Sequence, residues 1–200
     1  MDNRGLAAPI TAPVTLIGVG LGGLFDGIVL HQILQWHHML TSQGSFPATT
    51  VSGLEVNTLW DGLFHAATYL FIVVGLFWLW DRARAGGVKW SWKRVLGWML
   101  VGWGLFNLVE GVIDHHILQI HHVRTGPNEL AWDIGFLVLG AVLLVGGWML
   151  ARSDEHSVGL SLGVGRRREM GKGPAASRQP LSRLHGGGST CTACRARRSP

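Results

Sequence analysis

The chain has 200 residues, 48% of them hydrophobic, ten tryptophans and a formal net charge of +5. Ten of its seventeen Lys and Arg follow residue 151, leaving seven basic against nine acidic residues before it, so the basicity belongs to a tail and no nucleic-acid partner is expected. Both cysteines, Cys191 and Cys194, lie in that tail too, which excludes a disulfide framework for the remainder.

Residues 1–11 carry Asp2, Arg4 and Pro9 and show no small-residue cleavage pattern, so they read as a short cytoplasmic segment before a first span that is retained. Four apolar windows follow, near 12–39, 57–80, 95–122 and 130–151, each long enough at about 1.5 Å per residue to cross a hydrocarbon core of roughly 30 Å. Gly18, Gly20, Gly22 and Gly23 in the first would let another helix approach closely. The loop 40–56 has no Lys or Arg and offers Ser52 and Glu55 as a capping box for span two. That span opens with Asn57, Asp61 and His65 and stops at Asp81-Arg82. Loop 81–94 concentrates Arg82, Arg84, Lys89, Lys93 and Arg94, and Asn128 stands ready to cap span four.

The positive-inside rule then places both termini and loop 81–94 in the cytoplasm and faces 40–56 and 123–128 outward, Arg124 being the one exception. The tryptophans agree, with Trp36, Trp60 and Trp132 at the outer interface and Trp78, Trp80, Trp90, Trp92 and Trp148 at the inner one. Residues 152–200, rich in Arg, Gly, Ser and Pro, read as a disordered tail whose Arg166-Arg167-Arg168 run suits anionic lipid and whose lone CxxC is a weak metal motif.

One stretch occurs twice. Residues 23–38, GLFDGIVLHQILQWHH, and 107–122, NLVEGVIDHHILQIHH, lie 84 apart (107 minus 23) and share eight of sixteen positions. The shared positions include Gly27/Gly111, His31/His115, Gln35/Gln119, His37/His121 and His38/His122, with Asp26 matched by Glu110. Trp60-Asp61 and Trp132-Asp133 open the helices that follow. The fold expected is therefore an all-α bundle of four transmembrane helices, residues 12–151, made of two parallel helical-hairpin repeats, 12–80 and 92–151, about an axis along the membrane normal.

On a regular helix of about 100° per residue, Asp26 or Glu110 at zero puts His31/His115 near 140° and Gln35/Gln119 near 180°. His31, His115 and His65 then share one level about 10–12 Å inside the outer surface, with Asp26 and Glu110 roughly two turns deeper. His37, His38, His121, His122, Asp61 and Asp133 form a shell near that surface, and His116 points away. Ionisable groups at such depths are costly unless paired, hydrated or metal-bound. The candidate metal ligands are His31, His65, His115, His37, His38, His121, His122 and Asp61, with Asp26, Glu110, Asp114, Gln35, Gln119 and Asp133 as acceptors around them. Imidazoles alone do not choose among copper, iron, zinc and haem.

The motifs GLFDGIVLHQILQWHHM, NTLWDGLFH and NLVEGVIDHHILQIHHV resemble the bacterial family of predicted membrane proteins known as domain of unknown function 2243, over about residues 12–151. The resemblance implies a multi-pass protein of the bacterial cytoplasmic (inner) membrane and brings no activity. No nucleophile–base arrangement, Walker loop or dinucleotide fingerprint supports an enzyme of those classes. The leading expectation is an outward-facing His/carboxylate cluster that binds a transition metal or haem, in service of respiratory-enzyme maturation. The alternatives are a proton-coupled or metal transporter, a metal-dependent membrane oxidoreductase, and a structural or assembly partner of a membrane complex. The lipid bilayer is the expected surround, and a homo-oligomer is compatible with the sequence.

Overall fold

A computed structural model describes residues 10–86, 88 and 90–170, with side chains in the last helix described through Ser153. The chain divides into Met1–Leu162, which holds everything discussed below, and Gly163–Pro200, where only helical backbone to Met170 is described. Cys191 and Cys194 lie outside the described residues.

The described fold is all-helical. α1 spans Thr11–Phe25 and runs on as a π-helical segment, Asp26–Ile33; α2 spans Val51–Arg84; α3 spans Trp92–Glu110 and continues as a second π-helical segment, Gly111–Ile117; α4 spans Glu129–Met170. Four stretches are long and apolar enough to cross a membrane: Thr11–Ile33, Val51–Arg84, Trp92–Ile117 and Glu129–Ser153. α2 begins six residues before the expected 57, because Thr50 caps it by accepting a hydrogen bond from Gly53 N–H at 3.2 Å; Ser52 and Glu55 fall inside the first turns.

Small residues set the packing. α1 and α3 pack against each other, with α2 on α1 and α4 on α3. A Cβ on Gly18 would collide with the Met99 carbonyl oxygen, and one on Gly102 with that of Thr15, so the two backbones touch where the sequence has no side chain. Gly75 lets α2 close on Ile17, and Gly97 and Gly147 let α3 and α4 close on each other. Close backbone approach of this kind replaces the hydrophobic drive that lipid removes.

Polarity is reversed relative to a water-soluble bundle. Leu59, Leu70, Phe77, Val138, Val142 and Met149 are exposed on α2 and α4, whereas the largest fully buried side chains include His31, His37, His115, His121, Asn57, Asn107, Asp61 and Asp133. Apolar atoms face outward and the dry interior is polar, as a lipid surround requires.

Candidate metal centre

Each His-bearing helix changes its pitch as it reaches the motif. Leu34 N–H donates to Val29 O at 2.8 Å and Leu118 N–H to Ile113 O at 2.7 Å, both i→i−5. The wider turn aligns residues five apart, which a regular α-helix does not. Asp26 therefore meets His31, with Oδ2 3.2 Å from Nε2, and Glu110 meets His115, with Oε1 3.1 Å from Nε2. The expectation that these carboxylates lie two turns below their histidines is corrected by the π geometry.

Past the π segments the chain turns back. Gln35 and Gln119 adopt φ 49° and 50°, in the left-handed region, while Trp36 N–H donates to Leu30 O and Ile120 N–H to Asp114 O, each at 3.0 Å. These i→i−6 bonds close a turn one residue wider than the usual left-handed helix end. The helices thus stop at Ile33 and Ile117, short of 39 and 122. His37 and His121, expected near the outer surface, drop into the interior at 2% and 1% exposure and stack with ring centroids 4.7 Å apart. Gln35 and Gln119 are exposed at the turns, so they form no part of the cluster expected to include them.

Four imidazoles now converge. His37 lies 4.3 Å from His31 and His121 lies 5.0 Å from His115, centroid to centroid. Their Nδ1 atoms are held from outside. His31 Nδ1 donates to Asp61 Oδ1 at 2.9 Å, His37 Nδ1 to Val123 O at 2.8 Å and His121 Nδ1 to Met39 O at 3.2 Å, and His115 Nδ1 lies 3.4 Å from Asp133 Oδ1. A carbonyl oxygen only accepts, so the hydrogen of His37 sits on Nδ1 and its Nε2 lone pair faces inward, whereas His121 has an acceptor on each side, Met39 O and Glu110 Oε1. Nε2 of His31, His37 and His115, Asp26 Oδ2 and Glu110 Oε2 are buried without a hydrogen-bond partner, while His121 Nε2 lies 2.8 Å from Glu110 Oε1. Lone pairs facing one another at these distances need a proton or a metal cation between them, and the groups could hold a metal ion.

A second tier orients the first. Asp61 also accepts from His38 Nδ1 at 2.7 Å, Gln32 Nε2 at 3.3 Å and Met39 N–H at 2.9 Å. Asp133 accepts from His122 Nδ1 at 2.7 Å and Val123 N–H at 3.0 Å, and Glu129 lies 2.9 Å from His122 Nε2. His38 and His122 thus stand on the rim and address aspartates rather than the centre. Asn57 fixes the approach loop, accepting from Leu40 N–H and donating to Phe46 O, each at 2.9 Å.

Two donor groups have atoms within 4.8 Å of one another, His31 with His37 and His121, and Glu110 with His115 and His121. His65 belongs to neither; its ring packs on Gly27, and its Nε2 is buried without a partner. Asp114 lines a groove of about 300 Å³ beside Glu110, with Phe64 and Phe106, and no hydrogen bond ties it to the imidazoles among the described residues. A second groove, about 340 Å³, reaches Asp26 between Phe25, Trp103 and Phe136. At the motif end, Arg124 lies between Trp36 and Trp132, 5.3 and 5.5 Å from their rings, a cation–π setting for the one basic residue that departs from the charge rule.

The sequence reading missed the carbonyls of Met39 and Val123, for which no side-chain pattern exists. It also missed Phe64 and Phe136, which pack on His31 and His115 at 5.8 and 5.4 Å. Their signal was present, since Trp-Asp is followed three residues later by Phe in both helices.

The family described as Predicted membrane protein (DUF2243) matches residues 13–154, which takes in the four spans and every residue of this cluster. The chain belongs to that family. No curated protein and no solved structure matches it.

Proposed function

We propose that the protein binds a transition metal through the Nε2 atoms of His31, His37, His115 and His121, with Asp26 and Glu110 as carboxylate ligands, in a domain built of two parallel hairpin repeats. The observation that carries this reading is the orientation of the four rings. His31, His37 and His121 turn Nδ1 to an acceptor outside the cluster, His115 Nδ1 lies 3.4 Å from Asp133, and all four turn Nε2 inward, the arrangement by which proteins fix metal-ligating histidines. Without metal, His37 Nε2 and Glu110 Oε2 keep no partner, each costing about 1–3 kcal/mol, and His31 and His115 must take a proton to pair with Asp26 and Glu110.

Repeat origin is supported by contacts that recur at a constant offset. His37 to Val123 O and His121 to Met39 O are one exchange read in both directions, 84 apart, as are Gly18 on Met99 and Gly102 on Thr15. The centre faces outward in a bacterial cytoplasmic membrane with both termini inside, on the charge and tryptophan pattern. Imidazole with carboxylate suits copper, zinc or iron.

A metal-dependent oxidoreductase is the second reading, favoured by the two grooves that reach Asp26 and Glu110 from the apolar exterior. The test of the main reading is elemental analysis of the full chain carrying Cys191→Ser and Cys194→Ser, purified untagged in mild detergent. Bound copper, zinc or iron that is lost in His31→Ala with His115→Ala supports it. No metal after reloading refutes it.

A further inference from the structure

We infer that the centre is built for two metal ions rather than one. The inference rests on the metal reading above and concerns how many ions that site takes.

The donors divide into two groups, His31/His37/His121 and Glu110/His115/His121, and no larger group has all its donor atoms within 4.8 Å. An ion with bonds of about 2.0–2.2 Å brings its ligands within roughly 4.4 Å of one another, so one ion satisfies one group. His37 and His115, in different groups, have ring centroids 6.4 Å apart. An ion in the first group leaves His115 Nε2, Glu110 Oε2 and Asp26 Oδ2 unmet. An ion in the second leaves His31 Nε2, His37 Nε2 and Asp26 Oδ2 unmet. Two ions meet the donors of both groups, the one inward Nε2 of His121 serving one of them, and leave Asp26 Oδ2 beside His31.

The surroundings are doubled in the same way. Each half supplies an inner carboxylate (Asp26 or Glu110), a histidine on a π segment, a histidine returned by a left-handed turn, and an outer aspartate (Asp61 or Asp133). One complete set per ion accounts for the doubling. Two-metal sites place their ions about 3.5–4 Å apart, within the 6.4 Å that separates the His37 and His115 rings.

The two positions are unequal. Glu110 reaches His121 at 2.8 Å, whereas Asp26, one methylene shorter, falls in neither group, so the first position is bounded by imidazoles and the second by a carboxylate and imidazoles. The second therefore has the harder donor set and depends on Glu110.

The test is metal stoichiometry on the full chain with Cys191→Ser and Cys194→Ser, loaded with Cu(II), desalted and counted by mass spectrometry against amino-acid analysis. The expected result is two coppers per chain, an electron-paramagnetic spin count well below total copper because neighbouring Cu(II) ions couple, and one copper with full spin count in Glu110→Gln. Two coppers with full spin count would place the second away from the first and overturn the pair. One copper in the parent overturns the pair while leaving the single-metal centre; none overturns both. The parent alone decides the number, so a misfolded variant does not blunt the test.

Discussion

Asp61→Asn is the substitution that separates orientation from coordination. Asp61 is 1% exposed and receives four donors, His31 Nδ1 and Met39 N–H on Oδ1 and His38 Nδ1 and Gln32 Nε2 on Oδ2. An asparagine has one acceptor oxygen, so its amide group must face two of those donors. The less damaging choice turns the amide toward partly exposed His38 and Gln32 and keeps the bond to His31. The bonds from His38 and Gln32 are then both lost, the shorter one, from His38 at 2.7 Å, worth about 1.5–3 kcal/mol of stability. His31 also loses the negative charge that makes its Nε2 a better donor, and such outer partners are worth about 10- to 100-fold in metal affinity, or roughly 1.4–2.8 kcal/mol. Competition with a chromophoric chelator reads the affinity, and thermal unfolding of the metal-free protein in detergent reads the stability. Asp133→Asn should weaken binding less, because Asp133 stands at 3.4 Å from His115 where Asp61 stands at 2.9 Å from His31. An Asp61→Asn protein that holds metal as tightly as its parent would refute the orienting role.

Gly18→Ala, which drives a methyl into the Met99 carbonyl, should cost about 1–3 kcal/mol, whereas Gly62→Ala, in open space, should be neutral or stabilising; thermal unfolding of both compares them. Gln35→Gly should keep metal and gain up to about 1 kcal/mol by relieving a left-handed residue, while Gln35→Val should lose both stability and metal as it displaces His37, read by unfolding and by elemental analysis.

The four spans and the polar pairs were legible because apolar length and an 84-residue echo are properties of sequence alone. The depth of His37 and His121 was not, and the reason is local. A wheel drawn at a constant pitch carries every residue past Asp26 to the wrong azimuth once the helix widens, and the error compounds when Gln35 reverses the chain. No residue in DGIVLHQI announces a π segment. The left-handed turn was equally silent, since glutamine rather than glycine or asparagine occupies it. Repetition was the usable clue. Gln35 and Gln119 persist between the copies while contributing no ligand, which points to a backbone role once the exposed side chain is seen.

The two irregularities have a common purpose. A regular helix entering from the outer surface presents a histidine every three or four residues along one face and spreads its donors over 5 Å or more of depth per turn. A metal ion needs donors at one depth from several directions. The π turn stacks a carboxylate directly under His31 or His115, and the left-handed turn sends the chain back so that His37 or His121 enters from the opposite direction. Backbone groups freed by the reversal are met inside the bundle, with Met39 and Val123 N–H on Asp61 and Asp133 and their carbonyls on His121 and His37. Non-helical backbone at this depth survives only when so enclosed. The same bonds that make the turn tolerable in lipid therefore fix the rings, and each copy's turn holds the other copy's histidine, so neither half completes its centre alone.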